Sequence, residues 1–221
     1  MCNTPIAPMV STAEHTLALI LAVTKHLPQQ VARARQGLRA EPVGLALELD
    51  ASTLGLIGMG RIASRVAVAA HGLGMHVIAT DPAVTEPPVP GVELVERDEL
   101  LARSHVVSIH APALPTTVRM INTDTIARMK PGAYLVNCAR GVLVDHDALL
   151  EAIDSGHLAG AGLDVMDPEP LPLGHPLLDR PNVVVTPHCA SSSVAGRRRL
   201  YAHSIDNALA VLAGEPADIV I

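Results

Sequence analysis

The sequence predicts an α/β fold: a doubly wound parallel sheet with helices on both faces. Three observations carry that prediction. Short apolar runs alternate with stretches of helical periodicity between residues 53 and 186, the order expected of parallel strands joined by crossover helices. The runs are apolar at successive positions, as in Met75 to Thr80 and Ala133 to Asn137, which marks strands covered on both sides. The first run leads into Gly58-Met59-Gly60-Arg61-Ile62-Ala63, a glycine turn of the kind that joins a strand to a helix beneath a phosphate.

Each element follows from local signals. Ser11-Thr12-Ala13-Glu14 reads as a capping box, with Ser11 as the N-cap. Leu17, Ile20, Leu21 and Thr24 follow at helical spacing, and Pro28 closes the element. Residues 31–50, with Gly37, Pro42 and Gly44, read as a linker. Strands are expected at Thr53 to Ile57, Met75 to Thr80, Val106 to Ile109, Ala133 to Asn137, Ala159 to Val165 and Val183 to Thr186. Helices are expected at Arg61 to Ala70, Asp98 to Arg103 and Thr123 to Met129, where Lys130-Pro131-Gly132 stops the last. Asp145 caps a further helix running to Ser155-Gly156, and Ser193 to Ala213 forms a long final one. The loop with Pro87, Pro88 and Pro90 is too rich in proline for regular structure.

Composition narrows the function. The chain has 221 residues, of which 49% are apolar, and a net charge of -6. That is enough to bury a core and too apolar for a disordered chain. A negative balance argues against a nucleic-acid partner, which needs a basic surplus. The one basic run, Arg197-Arg198-Arg199, reads as a solvated helix face. No apolar run reaches the roughly 20 residues of a membrane span, since Glu14 and Lys25 bracket Leu17 to Val23. The start lacks a basic region before an apolar one, so no secretory signal is read. Cys2, Cys138 and Cys189 are an odd number and make no disulfide framework, which fits a reducing cytoplasm. With no Phe, no Trp and only Tyr134 and Tyr201, the core must be aliphatic.

The glycine turn has the pattern of a dinucleotide fingerprint, Gly58-x-Gly60-x-x-Ala63. Gly58 permits the tight turn and Gly60 lets the backbone approach a pyrophosphate. The amides of about Arg61 and Ile62 then point at the phosphates, aided by the helix dipole. Asp81, at the end of the second strand, is placed to accept hydrogen bonds from ribose hydroxyls and to repel a 2′-phosphate, which favours NAD over NADP. The plainer reading of Asp81 is a turn residue before Pro82.

Five stretches, in this order, resemble the D-isomer-specific 2-hydroxyacid dehydrogenases. They are Leu54 to Ala63, Met129-Lys130-Pro131-Gly132-Ala133, Asn137-Cys138-Ala139-Arg140-Gly141, Leu163-Asp164-Val165 with Glu169-Pro170, and Thr186-Pro187-His188. The resemblance runs through nearly the whole chain. It implies a Rossmann NAD-binding domain over residues 27–189, flanked at 1–26 and 190–221 by remnants of a substrate-binding lobe whose bulk precedes this sequence in a full member. It further implies NAD as cofactor, a small 2-hydroxy or 2-keto acid as substrate, and a homodimer. Cofactor contacts carried over from the family fall on His110, Ala111, Pro112, Thr117, Cys138, Ala139 and Asp164, with Thr117 near the phosphates and Asp164 at the carboxamide. A structural role for His110 stands beside that reading, and Cys138 and Cys189 also read as small-residue filling.

The resemblance assigns catalysis to Arg140, Glu169 and His188, and the chemistry suits them. Oxidising a 2-hydroxy acid removes a hydroxyl proton while a hydride leaves the carbon. A histidine is a fitting base near neutral pH. Glu169 would bond its other ring nitrogen, and Arg140 would hold the substrate carboxylate with a rigid fork of donors. Taken singly, the three read as a surface arginine, a loop acid and a strand-end histidine. Their joint occurrence after strand ends, where open α/β sheets bind ligands, favours the site. Glu169 also argues against the related formate dehydrogenases, which carry a neutral amide there. His105, Met166 and His71 depart from the family's usual Asp and aromatic residues. With much of one lobe expected to be missing, a truncated, non-catalytic NAD-binding protein or redox-sensing scaffold stays the alternative.

Overall fold

A computed structural model describes residue 4 and residues 7–39 and 45–215. Seven strands form one sheet: β1 (Thr53–Ile57), β2 (His76–Thr80), β3 (Val92–Leu94), β4 (Val106–Ile109), β5 (Ala133–Asn137), β6 (Leu158–Leu163) and β7 (Val183–Val185). Their order is β3-β2-β1-β4-β5-β6-β7, and every pairing is parallel. The chain winds outward from β1 in one direction and then, from β4, in the other. The expected doubly wound sheet is what forms.

The pleat sorts alternate residues into two aliphatic layers. Leu54 and Leu56 of β1, Val77 and Ala79 of β2, and Val136 of β5 join one layer, with α1 (Met9–Thr24) and α3 (Arg61–Gly72). Ile57, Ile78, Val107, Ile109 and Leu135 join the other, with α4 (Arg97–Arg103), α5 (Thr123–Ala127) and α6 (His146–Asp154). Two glycines let these helices come close. A Cβ on Gly55 would lie 2.1 Å from the Ser104 hydroxyl after α4, and one on Gly162 would lie 3.0 Å from Leu19 of α1.

The chain departs from the sequence expectations near its start. There is no capping box at Ser11: α1 begins at Met9 with Pro8 as N-cap. Ser11 is buried inside the helix, and its hydroxyl pairs with that of Ser193 at 2.6 Å. That long-range partner replaces the local amide. Nor does Pro28 end a helix. It lies in the first turn of α2 (Leu27–Arg35), where a missing N–H costs nothing. The expected linker therefore includes helical residues, and its residues 40–44 lie outside the described ones. The short edge strand β3 follows the proline-rich loop and was not expected from it.

The final helix, α7 (Val194–Leu212), is capped by the Ser193 side chain, which accepts from the Gly196 amide at 2.9 Å. It crosses the start of α1, where Arg199 donates to the Ala7 carbonyl at 3.3 Å. Beyond that crossing the helix stands away from the sheet. Only Gly196 and Asn207 are buried in it, while Tyr201, Ile205, Leu209 and Leu212 are exposed.

Candidate active site

Strand register assembles the site. Ile57 aligns with Thr80 and with Ile109; Ile109 aligns with Asn137, Asn137 with Leu163, and Leu163 with Val185. The residues one step further therefore form a single row along the carboxyl edge of the sheet: Asp81, Gly58, His110, Cys138, Asp164 and Thr186. Five of these six were expected in the site from sequence. A cavity of about 860 Å³ opens over this edge, and Ile62, His110, Cys138, Arg140, Asp164 and His188 are in its wall. Ala111, Pro112 and Ala139 also line it, whereas Gly58, Gly60, Arg61, Asp81, Thr117 and Glu169 do not.

At the β1 end the turn fits a dinucleotide phosphate. Gly58 has φ +95°, and a Cβ there would lie 2.8 Å from the His110 carbonyl carbon, so the turn requires glycine. A Cβ on Gly60 would meet nothing within 4 Å, which leaves open space over the start of α3. No side chain caps that helix, so its first amides face the opening. Asp81 accepts from the Met59 amide at 2.8 Å and from the Ala83 amide at 2.9 Å. Both readings of Asp81 thus have a physical basis: it closes its own turn and also staples the glycine turn to β2. Each of its oxygens keeps a lone pair for a hydroxyl.

His110 is half-buried in the cavity wall beside Ser108, whose hydroxyl lies 3.0 Å from its Nε2. Burial pushes its pKa down to about 4, so the ring is neutral at pH 7. Thr117 closes its own turn, donating to the Pro112 carbonyl at 2.7 Å and accepting from the Leu114 amide at 2.8 Å. Burial pushes the Cys138 thiol up to about 12, and burial together with Asp164 also raises Cys189. Both are free thiols. They fill space as neutral groups.

Backbone contact brings the turn that carries Arg140 against the segment that leads to Glu169. A Cβ on Gly141 would lie 1.9 Å from the Met166 carbonyl oxygen, so only glycine lets the turn after β5 lie on the segment leading to Glu169. Asn137, fully buried, shapes that turn: its Oδ1 accepts from the Ala139 amide at 2.9 Å and its Nδ2 donates to the Arg140 carbonyl at 2.9 Å. Asn137 was not among the expected site residues, although a polar residue closing an apolar strand is a signal for it. The Arg140 side chain is exposed and meets its neighbour's carbonyl at 2.6 Å.

His188 sits in a left-handed turn, φ +51°, wrapped around the Asp164 carboxylate. Asp164 is 1% exposed and accepts from the Cys189 amide at 2.9 Å, the Ala190 amide at 2.9 Å and the Thr186 hydroxyl at 2.6 Å. These three bonds brace the turn, two on Oδ1 and one on Oδ2. The His188 backbone amide bonds the Asp164 carbonyl at 2.8 Å. The ring Nδ1 of His188 pairs with Glu169 Oε1, both side chains being partly open to solvent. His15 of α1, not among the expected site residues, bonds Thr186 at 3.0 Å.

The sequence model of the D-isomer specific 2-hydroxyacid dehydrogenase NAD binding domain matches residues 17–190. The chain belongs to that family. Among relatives of the family, the D-3-phosphoglycerate dehydrogenase of Bacillus subtilis is 38% identical over 218 residues, 97% of this chain and 41% of that protein. The chain thus spans about two fifths of the length of the first curated relatives it matches. The crystal structure of TT0316 protein from Thermus thermophilus superposes with a TM-score of 0.92 at 46% identity, covering all of this chain and 71% of the other. D-lactate dehydrogenase from Lactobacillus jensenii, solved with NAD+, gives 0.90 at 31% identity over all of this chain and 71% of that one. The NAD-binding domain of the family is therefore the fold described above. No described helix is long and apolar enough to cross a membrane.

Proposed function

We propose that this chain carries the nucleotide-binding and catalytic residues of an NAD-dependent D-2-hydroxyacid dehydrogenase. It would interconvert a small 2-hydroxy acid and its 2-keto acid. The observation that carries the reading is the His188–Glu169 pair, with His188 and Arg140 in the wall of one cavity that Ile62 of the uncapped α3 start also lines. Glu169 occupies Nδ1, which leaves Nε2 of His188 to take the hydroxyl proton in oxidation and return it in reduction. Arg140 holds the substrate carboxylate and the reacting oxygen. Bound NAD supplies the hydride acceptor. Amides at Arg61 and Ile62 and the Asp81 carboxylate would hold its phosphates and ribose, with His110, Ala111, Pro112, Thr117, Cys138 and Ala139 around them. Asp164 acts mainly by fixing the turn that presents His188.

The division of the chain into residues 27–189 and two flanks is part of this proposal. The exposure of α7 supports it on one side, whereas α1 buries its apolar face on the sheet. The exposed apolar residues of α7 also support a homodimer, and two thiols without a disulfide support a cytoplasmic setting. The test is NADH consumption by the purified chain with pooled 2-keto acids, alongside an Arg140→Ala control. Turnover lost in the control supports the enzyme. NADH binding without turnover would overturn it in favour of a non-catalytic nucleotide-binding protein.

A further inference from the structure

The cavity carries a second arginine that the reaction above does not use. Arg197 lies in the first turns of α7 and lines the same space as Arg140 and His188. Leu200 and Tyr201 line it too, three and four residues further on, so this is the face of α7 turned to the cavity. Arg199 points elsewhere, onto the Ala7 carbonyl and, at 3.4 Å, the Ser11 hydroxyl.

Among the described residues, no carboxylate lies within ion-pair distance of Arg140 or Arg197. Asp164 is the one acidic residue in the cavity wall, and three donors already engage its oxygens. Two guanidinium groups on one concave surface, neither paired with a carboxylate and with Asp164 buried behind its own donors, present positive charge to whatever enters. A substrate with a single carboxylate on Arg140 answers one of them. The other faces the same space with the hydroxyl-bearing Ser191 and Ser192 beside it.

We infer that Arg197, with Ser191 and Ser192, forms a second anion subsite that selects 2-keto acids bearing a further acidic group, a carboxylate or a phosphate. The inference rests on the reading of Arg140 as the holder of the first carboxylate. The guanidinium fork suits either oxyanion. The dinucleotide pyrophosphate is the competing source of negative charge, since Ile62 at the start of α3 lines the same cavity.

Calorimetry with NADH present separates these cases, using non-reacting mimics. Oxamate, N-oxalylglycine and N-(phosphonomethyl)oxamate share a head group, and the last two each form a pair with oxamate that differs by a distal carboxylate or a distal phosphonate. At least one doubly acidic mimic should bind about tenfold tighter than its partner, the low end for a hydrogen bond between charged groups. Arg197→Gln should abolish that preference and leave oxamate and NADH binding unchanged, while Arg197→Lys restores part of it. Equal binding within both pairs would overturn the subsite. So would an Arg197→Gln variant that loses NADH affinity, which would assign the residue to the dinucleotide. A preference that persists without turnover of any 2-keto acid would sink the proposed reaction and leave the subsite standing.

Discussion

Thr186 donates its hydroxyl proton to Asp164 across 2.6 Å, and this bond is the middle of a longer chain. His15 Nε2 lies 3.0 Å from the same hydroxyl oxygen. With the hydroxyl proton committed to Asp164, His15 must be the donor, which assigns its proton to Nε2. Helix α1 is thereby tied through a side chain of the carboxyl edge to the turn that carries His188.

Removing the acceptor at the centre of that chain should be costly. Asp164→Ala leaves two amides and a hydroxyl without a partner at a position 1% exposed. The expected loss is about 2–4 kcal/mol in urea unfolding, against about 1 kcal/mol for Thr186→Val. Equal losses for the two would mean the amides find other acceptors.

Two glycines of the site should respond in opposite ways. Gly141→Ala forces a methyl to within 1.9 Å of a carbonyl oxygen and should cost about 3 kcal/mol, displacing Arg140 as the backbone gives way. Gly60→Ala meets nothing within 4 Å, so its melting temperature should barely move while its NADH affinity falls. Thermal unfolding with and without NADH reads both.

His110 gives the fold a pH dependence. Its folded pKa of about 4 lies below the roughly 6.5 of an unfolded chain, so between these values the unfolded state binds a proton that the native state does not. Stability therefore falls as pH drops from ~6.5 to ~4, by at most about 3 kcal/mol from this residue. His110→Gln should flatten that part of the acid limb in urea titrations from pH 7 to 4. An unchanged difference between the two ends would remove His110 as its cause.

Glu169→Gln keeps the shape of the side chain and removes its charge beside Nδ1 of His188. Turnover should fall about tenfold to a hundredfold with KM little changed, because the imidazolium formed in oxidation loses its counter-charge. A variant that raises KM alone would place Glu169 in substrate binding instead.

Much of the fold and the site was legible because each strand announces its own end. The apolar runs stop at Gly58, Asp81, His110, Cys138 and Asp164, and parallel register then turns positions in sequence into a row in space. What local pattern does not carry is partnership across the chain. Ser11 reads as a cap until Ser193, 182 residues away, takes its hydroxyl. Asp164 reads as a ligand-binding acid, and nothing local in the sequence signals that three donors from the 186–190 turn also bond its oxygens. Pro28 and the three-residue β3 fail for a different reason: a proline is as welcome in a helix's first turn as after its end, and so short a strand exists only because β2 is there to pair with it.

The position of α1 sets a schedule for the nascent chain. Its apolar face meets α3 soon after synthesis, yet it also rests on β5, β6 and β7, and Leu19 packs against Gly162. At ~5–20 residues per second, translation delivers those strands on the order of ten seconds after α1 has left the ribosome. Through that interval Leu19 lacks Gly162 and the rest of the surface that β5, β6 and β7 supply, so the packing of the first helix is finished only when the far half of the sheet arrives.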